Sequence, residues 1–354
     1  MQVLIIGGSR FSGKQLLLKL HAAGHAITVI NRGNQPFIYP SGVIHHKLDR
    51  NHVDALQQVL IDKEFDWVFD FIAWKGTESK QLLGMLKGRI KKFIHVSTVD
   101  VYDLNHIERY ITHPIYETDP VGPINNTEPS YPLGKRMCER DLLKAYHEFG
   151  FPVVILRPTY IYGPDNYSFK EAYFFHRILS QLPLYLLSPE SLYLDMIHAE
   201  DMADLCLLAA QSSSSIGQIY NATTGEFITS LQLARLVSWW CKIPFKYTFF
   251  TSNDVLSLNW SLERRLWPYE YPISMTFSNI KAITELGFKP RYRLIDGLRQ
   301  TFDWFLSLST GAKQRLWGRY YYSPEWEEKL ASYFKDRMVT EKNPGSSFMN
   351  YSTL

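Results

Sequence analysis

The chain has 354 residues, a hydrophobic fraction of 45% and a formal net charge of +3 at pH 7. This length allows about two domains with a large buried core, and so small a charge does not indicate a nucleic-acid partner. No apolar run approaches the roughly 20 residues of a membrane-spanning helix, and the first residues form a charge-poor strand rather than a basic leader. We therefore expect a cytoplasmic protein that does not bind membranes.

The first 34 residues have the pattern of a nucleotide-binding βαβ unit. An apolar strand leads into a glycine turn, a leucine-rich helix and a second apolar strand, and the turn contains Gly7, Gly8 and Gly13. Glycines at these positions allow a tight turn and close helix–strand packing, so N–H groups at the helix start can hold a pyrophosphate. Arg10 stands where a middle glycine is usual.

Further along the chain, apolar runs of strand length alternate with helical patterns. Strands are predicted over 43–47, 67–73, 92–97 and 152–157, and helices over 53–61, 80–86 and 131–149. This alternation predicts an α/β fold with a doubly wound parallel Rossmann sheet, in which ligands bind beyond the carboxyl ends of the strands. Residues 103–130 are rich in proline and asparagine and are predicted to form a long functional loop.

Beyond Gly163 the pattern changes to helical segments between irregular, aromatic stretches. We predict a dinucleotide-binding domain over 1–163, to whose sheet segments around 195–222 return. A smaller C-terminal substrate-binding domain is predicted over 164–194 and 223–339, and the polar residues 340–354 are predicted to form a disordered tail. The three cysteines are far apart, and no histidine or cysteine spacing indicates a metal site.

Three polar side chains have the chemistry of a hydride-transfer site. Tyr131 and Lys135 lie four residues apart on a predicted helix, so the ammonium can lie beneath the phenol and favour its ionised form. A buried strand ends just before Thr98, which places a hydroxyl at the same edge of the sheet. We predict that Thr98 orients a substrate oxygen, Tyr131 transfers a proton, and Lys135 supports the phenol and binds the cofactor ribose.

The residues after the second strand bear on the choice of cofactor. An acid about 20 residues beyond the glycines would bind the ribose 2′-hydroxyl of NAD, whereas this chain has Asn31 and Arg32 there. Arg32 and Arg10 carry guanidinium groups that suit a 2′-phosphate. NADP is therefore predicted, with NAD as the alternative if Arg32 is simply exposed and Arg10 stacks on the adenine.

Several motifs together resemble those of extended short-chain dehydrogenases/reductases of the NAD-dependent epimerase/dehydratase group. They are GGSRFSG at 7–13, Asp49 after the third strand, HVSTVDVY at 95–102, YPLGK at 131–135, RPTYIYGP at 157–164, IHAED at 197–201 and LGFKP at 286–290. The resemblance implies a Rossmann fold, a catalytic triad of Thr98, Tyr131 and Lys135, and a homodimer formed by the helix that begins at Tyr131 and the helix after Phe71.

The resemblance also extends the predicted binding residues. Asp49 and Arg50 would border the adenine, and Phe71, Ile72 and Ala73 would line the adenosine and the nicotinamide ribose. The predicted cofactor-binding residues are Gly7, Ser9, Arg10, Phe11, Gly13, Asn31, Arg32, Asp49, Arg50, Phe71, Ile72, Ala73, Tyr131 and Lys135. The predicted substrate-binding residues are Asp100, Tyr102, Tyr160, Arg177 and His198, although a core role for His198 is equally compatible with the sequence.

Two departures from the family pattern bear on the substrate. Dehydratases of this group usually have two acids directly after the triad threonine, whereas Val99 is the first residue here. Residues 165–169 (DNYSF) replace an arginine-bearing segment of many nucleotide-sugar enzymes, although Arg177, Arg264 or Arg265 could still meet a phosphate.

The sequence thus predicts an NAD(P)-dependent epimerase or reductase. It would act at a carbinol or ketone carbon of a sugar-like, nucleotide-sugar or other hydroxylated small molecule. The alternative comes from GGSRFSG and from NRG at 31–33, which resemble an atypical branch that includes chloroplast stem-loop RNA-binding proteins. That branch generally lacks an intact Tyr-x-x-x-Lys pair, whereas this chain keeps it at Tyr131 and Lys135. A catalytically silent RNA-binding or scaffold protein is therefore the second hypothesis, after an enzyme.

Overall fold

The computed structural model describes residues 1–34, 36–106, 112–125, 130–189, 192–258, 275–318 and 322–342. The chain forms two compact units. The first comprises Met1–Asp165, Asp195–Glu226 and Phe277–Gly297, and the second comprises Asn166–Leu194, Phe227–Thr276 and Leu298–Leu354. Arg264 and Arg265, named above as phosphate contacts, lie outside the described residues.

The regular elements are numbered in chain order. The strands are β1 (Gln2–Ile6), β2 (Ala26–Asn31), β3 (Ile44–Lys47), β4 (Phe65–Asp70), β5 (Ile90–Val96), β6 (Val153–Pro158), β7 (Tyr160–Tyr162), β8 (Leu184–Leu187), β9 (Tyr193–His198), β10 (Ile219–Ala222), β11 (Phe227–Thr229), β12 (Phe245–Phe250) and β13 (Val339–Glu341). The helices are α1 (Phe11–Ala22), α2 (Val53–Leu60), α3 (Gly76–Leu86), α4 (Tyr131–Phe149), α5 (Ala172–Leu179), α6 (Ala199–Gln211), α7 (Ser230–Cys241), α8 (Ser252–Ser257), α9 (Ile280–Leu286), α10 (Leu294–Ser307), α11 (Thr310–Trp317) and α12 (Pro324–Tyr333).

The first unit is built on a seven-stranded sheet in the order β10-β6-β5-β4-β1-β2-β3. Its neighbouring strands pair in parallel. The strand order reverses between β1 and β4, and in such sheets ligands bind at the carboxyl ends beside that switch point. The predicted doubly wound Rossmann sheet is confirmed.

Side chains of β1 show why the sheet is covered on both faces. Val3 and Ile5 belong to one buried cluster, which includes residues of α1 and α6, whereas Leu4 and Ile6 belong to a second cluster with residues of α2 and α3. Alternate residues of a strand point to opposite faces, so an uninterrupted apolar run fits a strand that is buried on both sides.

The second unit contains a three-stranded sheet in which β12 pairs in parallel with β8 and antiparallel with β13. Its core is strongly aromatic: Phe169, Phe174, Phe175, Phe302 and Phe305 each have at most 1% of their surface exposed. Edge-on ring pairs, such as Phe175 with Phe302 at 5.0 Å between centroids, pack this core.

Three predictions about the chain's organisation need correction. Phe277–Gly297, assigned above to the smaller domain, belongs to the first unit, where Phe288 is buried in the sheet's core. The start of the predicted tail is ordered, because Val339–Glu341 pairs with β12, while residues 343–354 lie outside the described part. The strand predicted over 67–73 ends at Asp70, whose carboxylate turns the chain by accepting backbone N–H bonds.

Candidate active site

The glycine turn after β1 fits a dinucleotide phosphate. Gly7 and Gly8 have φ angles of 108° and 74°, which favour glycine. A Cβ atom on Gly13 would lie 3.0 Å from the Cα of Gly8, so the start of α1 packs directly on the turn. The first N–H groups of a helix have no partners within the helix, and α1 begins directly after the turn that follows the carboxyl end of β1.

Residues after β4 form a wall against this turn. A Cβ on Gly7 would lie 3.1 Å from Cγ2 of Ile72 and 3.3 Å from Cβ of Phe71. Ile72 is 41% exposed, whereas Ala73 is fully buried. The structure therefore brings the glycine turn and residues 71–73 together, as a dinucleotide site requires.

Helix α1 begins at Phe11, directly after Ser9 and Arg10 of the turn. Arg10 has an extended backbone and no capping hydrogen bond from its side chain, and Ser9 precedes it, half-buried. Phe11 has a φ of 48°, unusual for a residue with a side chain, and its ring is buried. Phe11 therefore anchors the turn in the core.

Asn31, at the end of β2, braces the turn through its side chain. Its Nδ2 donates to the carbonyl of Gly7 and to the hydroxyl of Tyr39, both at 2.8 Å, and its Oδ1 accepts from the N–H of Gly33 at 2.9 Å. His45 lies 3.1 Å from the same oxygen. With these partners the buried Asn31 amide links the glycine turn to the loop after β2.

Cationic side chains surround that loop. Arg32 is exposed, and a hydrogen bond from the backbone of Asn51, aided by the Arg32 charge, holds the pKa of Asp49 below its usual value. The stem of Lys47 lies against Gly33, since a Cβ there would be 2.8 Å from Cγ of Lys47. Lys47 was not singled out from the sequence, although its position at the end of a strand parallel to β2 was a usable signal.

Tyr131 and Lys135 meet at the start of α4. Ser130 caps this helix by accepting from the N–H of Leu133 at 3.3 Å. Lys135 is 3% exposed, its Nζ donates to the carbonyl of Val96 at 2.7 Å, and it lies 5.8 Å from the centre of the Tyr131 ring. Burial lowers the pKa of Lys135. The residue Tyr131 is 36% exposed, and its ring lies beside Trp74.

Thr98 occupies the same edge of the sheet, two residues beyond the carbonyl that Lys135 binds. Its hydroxyl accepts from the N–H of Asp100 at 3.2 Å and so starts the short helical turn Val99–Val101. The end of β5 and the start of α4 thus bring Thr98, Lys135 and Tyr131 to one region.

A buried network behind this region was not found from the sequence. Ser97 donates to Glu139 at 2.5 Å, and Arg157 pairs with the same carboxylate at 2.6 Å. The three side chains are each at most 4% exposed. They connect the end of β5 to α4 and β6. Residues from three elements far apart in the chain carry no common sequence signal.

Four residues predicted to contact ligands are engaged elsewhere. Tyr102 is buried and donates to Asn221 at 2.6 Å. Arg50 is buried against Asp70. In the second unit, Arg177 forms a bidentate pair with Glu327 at 2.7 and 2.9 Å. His198 caps α6 by accepting from the N–H of Glu200 at 3.2 Å. Each of the four side chains therefore has a partner within the protein, and its contact with a ligand stays a prediction.

Two further candidates lie in the first unit. Asp100 is half-buried in the turn after Thr98, and Tyr160 lies on β7, half-buried and paired with Met196 of β9. Among the described residues, no group of three or more histidine, cysteine, aspartate or glutamate side chains is placed to hold a metal ion. In the same part of the chain, no helix has the length and apolarity needed to cross a membrane.

Comparison with known sequences identifies relatives. Residues 3–223 match the sequence model of the NAD dependent epimerase/dehydratase family. The chain is 26% identical over 320 residues to the Arabidopsis thaliana chloroplast stem-loop binding protein of 41 kDa b, covering 85% of this chain and 78% of that protein. It is also 26% identical over 223 residues to the Bos taurus dTDP-D-glucose 4,6-dehydratase, covering 62% and 57% of the two chains.

Solved structures share the fold. The UDP-glucose 4-epimerase of Thermotoga maritima, determined with UDP-glucose, has a TM-score of 0.71 and 20% identity over 86% of this chain and 99% of that one. The Bacillus cereus UDP-glucuronic acid 4-epimerase, in complex with NAD, has a TM-score of 0.68 and 20% identity over 86% and 98%.

Proposed function

The chain belongs to the NAD dependent epimerase/dehydratase family, and from this premise we propose that it is an epimerase or reductase acting at a carbinol or ketone carbon. The observation that carries the proposal is the buried Lys135 beside the partly exposed Tyr131 at the carboxyl edge of the Rossmann sheet. Family membership supports an NAD-dependent enzyme. The reaction, the substrate and the role of Tyr131 are our proposal.

Each residue of the triad has a distinct role. Tyr131 is the proton carrier, because its phenol is accessible and lies over an ammonium that favours the ionised form. Lys135 is held in place by the carbonyl of Val96. Thr98 orients the substrate oxygen from the end of β5. A nicotinamide dinucleotide, when bound, supplies a hydride acceptor or donor.

The glycine turn and residues 71–73 would hold that cofactor. We propose NADP rather than NAD, because Arg32 and Lys47 provide cations near the end of β2, Arg10 adds one in the glycine turn, and Asn31 replaces the usual acid. A carboxylate there would repel a 2′-phosphate, whereas guanidinium groups bind it.

For the substrate, we propose a sugar-like or other hydroxylated small molecule. Relatives named for dTDP-D-glucose and structural neighbours named for UDP-sugars support this class. Val99 takes the place of the first acid expected in dehydratases, so we propose epimerisation or ketone reduction rather than dehydration.

The test is Tyr131→Phe, assayed with a panel of nucleotide sugars and small ketones. The variant lacks only the hydroxyl, so turnover should fall by about 10²–10⁴-fold, while cofactor affinity changes little. Wild-type turnover in this variant on an identified substrate would refute the mechanism.

A second candidate function is RNA binding, favoured by the similarity to the stem-loop binding protein over most of the chain. Filter binding with a structured RNA at several salt concentrations tests it. A genuine RNA-binding protein loses affinity steeply as salt rises, and absence of binding at physiological salt would exclude this function.

A further inference from the structure

A buried ion pair lies directly before residues 71–73, which are predicted to line the cofactor. The Nη1 of Arg50 lies 2.7 Å from Oδ1 of Asp70, and the two side chains are 4% and 0% exposed. Burial opposes ionisation of Asp70, but the charge and hydrogen bond of Arg50 outweigh it and hold the pKa of that carboxyl below its usual value. Both groups are therefore charged at neutral pH.

Stability alone does not account for this pair. Removing two charges from water costs several kcal/mol for each ion, and apolar replacements of buried pairs are often neutral or stabilising. The backbone groups that Asp70 and Arg50 also bind indicate a second role for the pair.

Asp70 holds the backbone that faces the glycine turn. Its Oδ1 accepts from the N–H groups of Ile72 and Ala73, both at 3.1 Å. Phe71 and Ile72 are the residues that lie against Gly7. One carboxylate oxygen of Asp70 thus holds two backbone N–H groups of this wall, and the N–H of Phe71 donates to the carbonyl of Ile6 at 3.1 Å.

Arg50 connects that oxygen to a second support. Its Nη2 donates to the carbonyl of Glu78 at 3.1 Å, and the carboxylate of Glu78 accepts from the N–H groups of Trp74 and Lys75 at 2.5 and 2.9 Å. Asp70 and Glu78 thus hold residues 72–75 from both ends. Arg50 itself follows Asp49, the residue expected to border the adenine.

We propose that the Arg50–Asp70 pair is a positioning device that presets the cofactor-lining segment 71–73 and links it to the adenine end of the site. This inference rests on the proposed function, because it presumes a dinucleotide on the glycine turn. Arg50 and Asp70 act through the backbone and are positioning residues. Arg50 therefore has a role different from the adenine contact expected from the sequence.

The test separates cofactor affinity from fold stability. The variants are Arg50→Met, Asp70→Leu and the double variant, each titrated with NADP and with NAD by intrinsic fluorescence and each unfolded with urea. The single variants leave one charge buried without its partner and should be destabilised, whereas the double variant should regain stability. If the pair positions residues 71–73, the affinity of the double variant for dinucleotide should remain about tenfold or more below that of wild type, even where its stability is restored.

The control is Glu327→Gln, which alters the partly buried Arg177–Glu327 pair of the second unit. It should lose stability but keep dinucleotide affinity within about twofold. A double variant with wild-type affinity would overturn the inference alone. Wild-type protein that binds neither NADP nor NAD would overturn the proposed function and the inference with it.

Discussion

Arg32 and Arg10 are the residues on which cofactor selectivity should depend. Charge-assisted hydrogen bonds contribute about 1.5–3 kcal/mol each, so replacing both by alanine should weaken NADP binding at least about tenfold. NAD has no 2′-phosphate and should be affected far less. Titration of both dinucleotides measures the difference.

The control for charge alone is Lys91→Ala, which removes an exposed cation. Lys91 lies at the start of β5, so it is at the amino ends of the strands, away from the predicted cofactor site. The variant should change neither affinity. Equal losses for NADP and NAD in the double arginine variant would contradict the assignment of these residues to the 2′-phosphate.

Individual residue roles were only partly predictable from the sequence. The proximity of Tyr131 and Lys135 could be predicted, because a four-residue spacing on a helix fixes which side chains share a face, and the catalytic roles of the triad stay a prediction. The sequence does not show whether an arginine at a strand end points outward, as Arg32 does, or inward to a buried carboxylate, as Arg50 does. Those directions depend on partners that lie far away in the chain.

Helix α4 can lie against residues 74–75 only because Gly134 has no side chain. A Cβ there would lie 2.0 Å from the carbonyl oxygen of Trp74. Alanine is favoured over glycine inside a helix by about 1 kcal/mol, but overpacking costs about 1–3 kcal/mol or more. With a backbone oxygen in the way, the steric term should win, so Gly134→Ala should destabilise the protein and displace Tyr131.

Gly84→Ala in α3 is the matched control, because nothing lies within 4 Å of its Cβ position. It should stabilise by up to about 1 kcal/mol. Urea unfolding of both variants measures the two effects, and stabilisation by Gly134→Ala would contradict the close approach of α4.

The buried carboxyl of Asp195, on β9, should make the stability of the protein depend on pH. Asp195 accepts from Thr223 and from the N–H of Phe277 at 2.9 Å, and burial raises its pKa to about 7. Between its ordinary pKa near 4 and this value, the unfolded chain releases a proton that the folded chain retains. Stability contributed by Asp195 is therefore full at acid pH and decreases as pH rises to about 7.

Asp195→Asn should flatten this dependence, since the amide does not titrate. The measurement is the urea midpoint at several values between pH 4 and 8, with the exposed Asp62→Asn as control. If the difference between Asp195→Asn and wild type is constant over this range, the carboxyl does not titrate there.

At the scale of the whole molecule, we predict a homodimer that uses α3 and α4, by analogy with the family. These helices pack side by side in the first unit, and the far end of α4 carries exposed side chains. Native mass spectrometry should show twice the 41.3 kDa chain mass together with any retained dinucleotide. A monomer at micromolar concentration would contradict the prediction.

The sheet could be predicted from the sequence because strands buried on both faces give uninterrupted apolar runs. The membership of Phe277–Gly297 in the first unit could not. Its buried apolar residues, such as Ala282 and Phe288, are few, and residues 227–276 of the second unit separate it from the preceding segment. Contacts across such a distance leave no local pattern.

This discontinuity has a consequence for biosynthesis. The cluster that contains β1 is completed only when Phe288 has left the ribosome, although the seven strands of that sheet end at Ala222. At roughly 5–20 residues per second, synthesis from Ala222 to Phe288 takes about 3 to 13 s. During that interval the nascent sheet exposes an apolar surface. Chaperone capture on stalled ribosomes should therefore be strongest for chains that end between these two points.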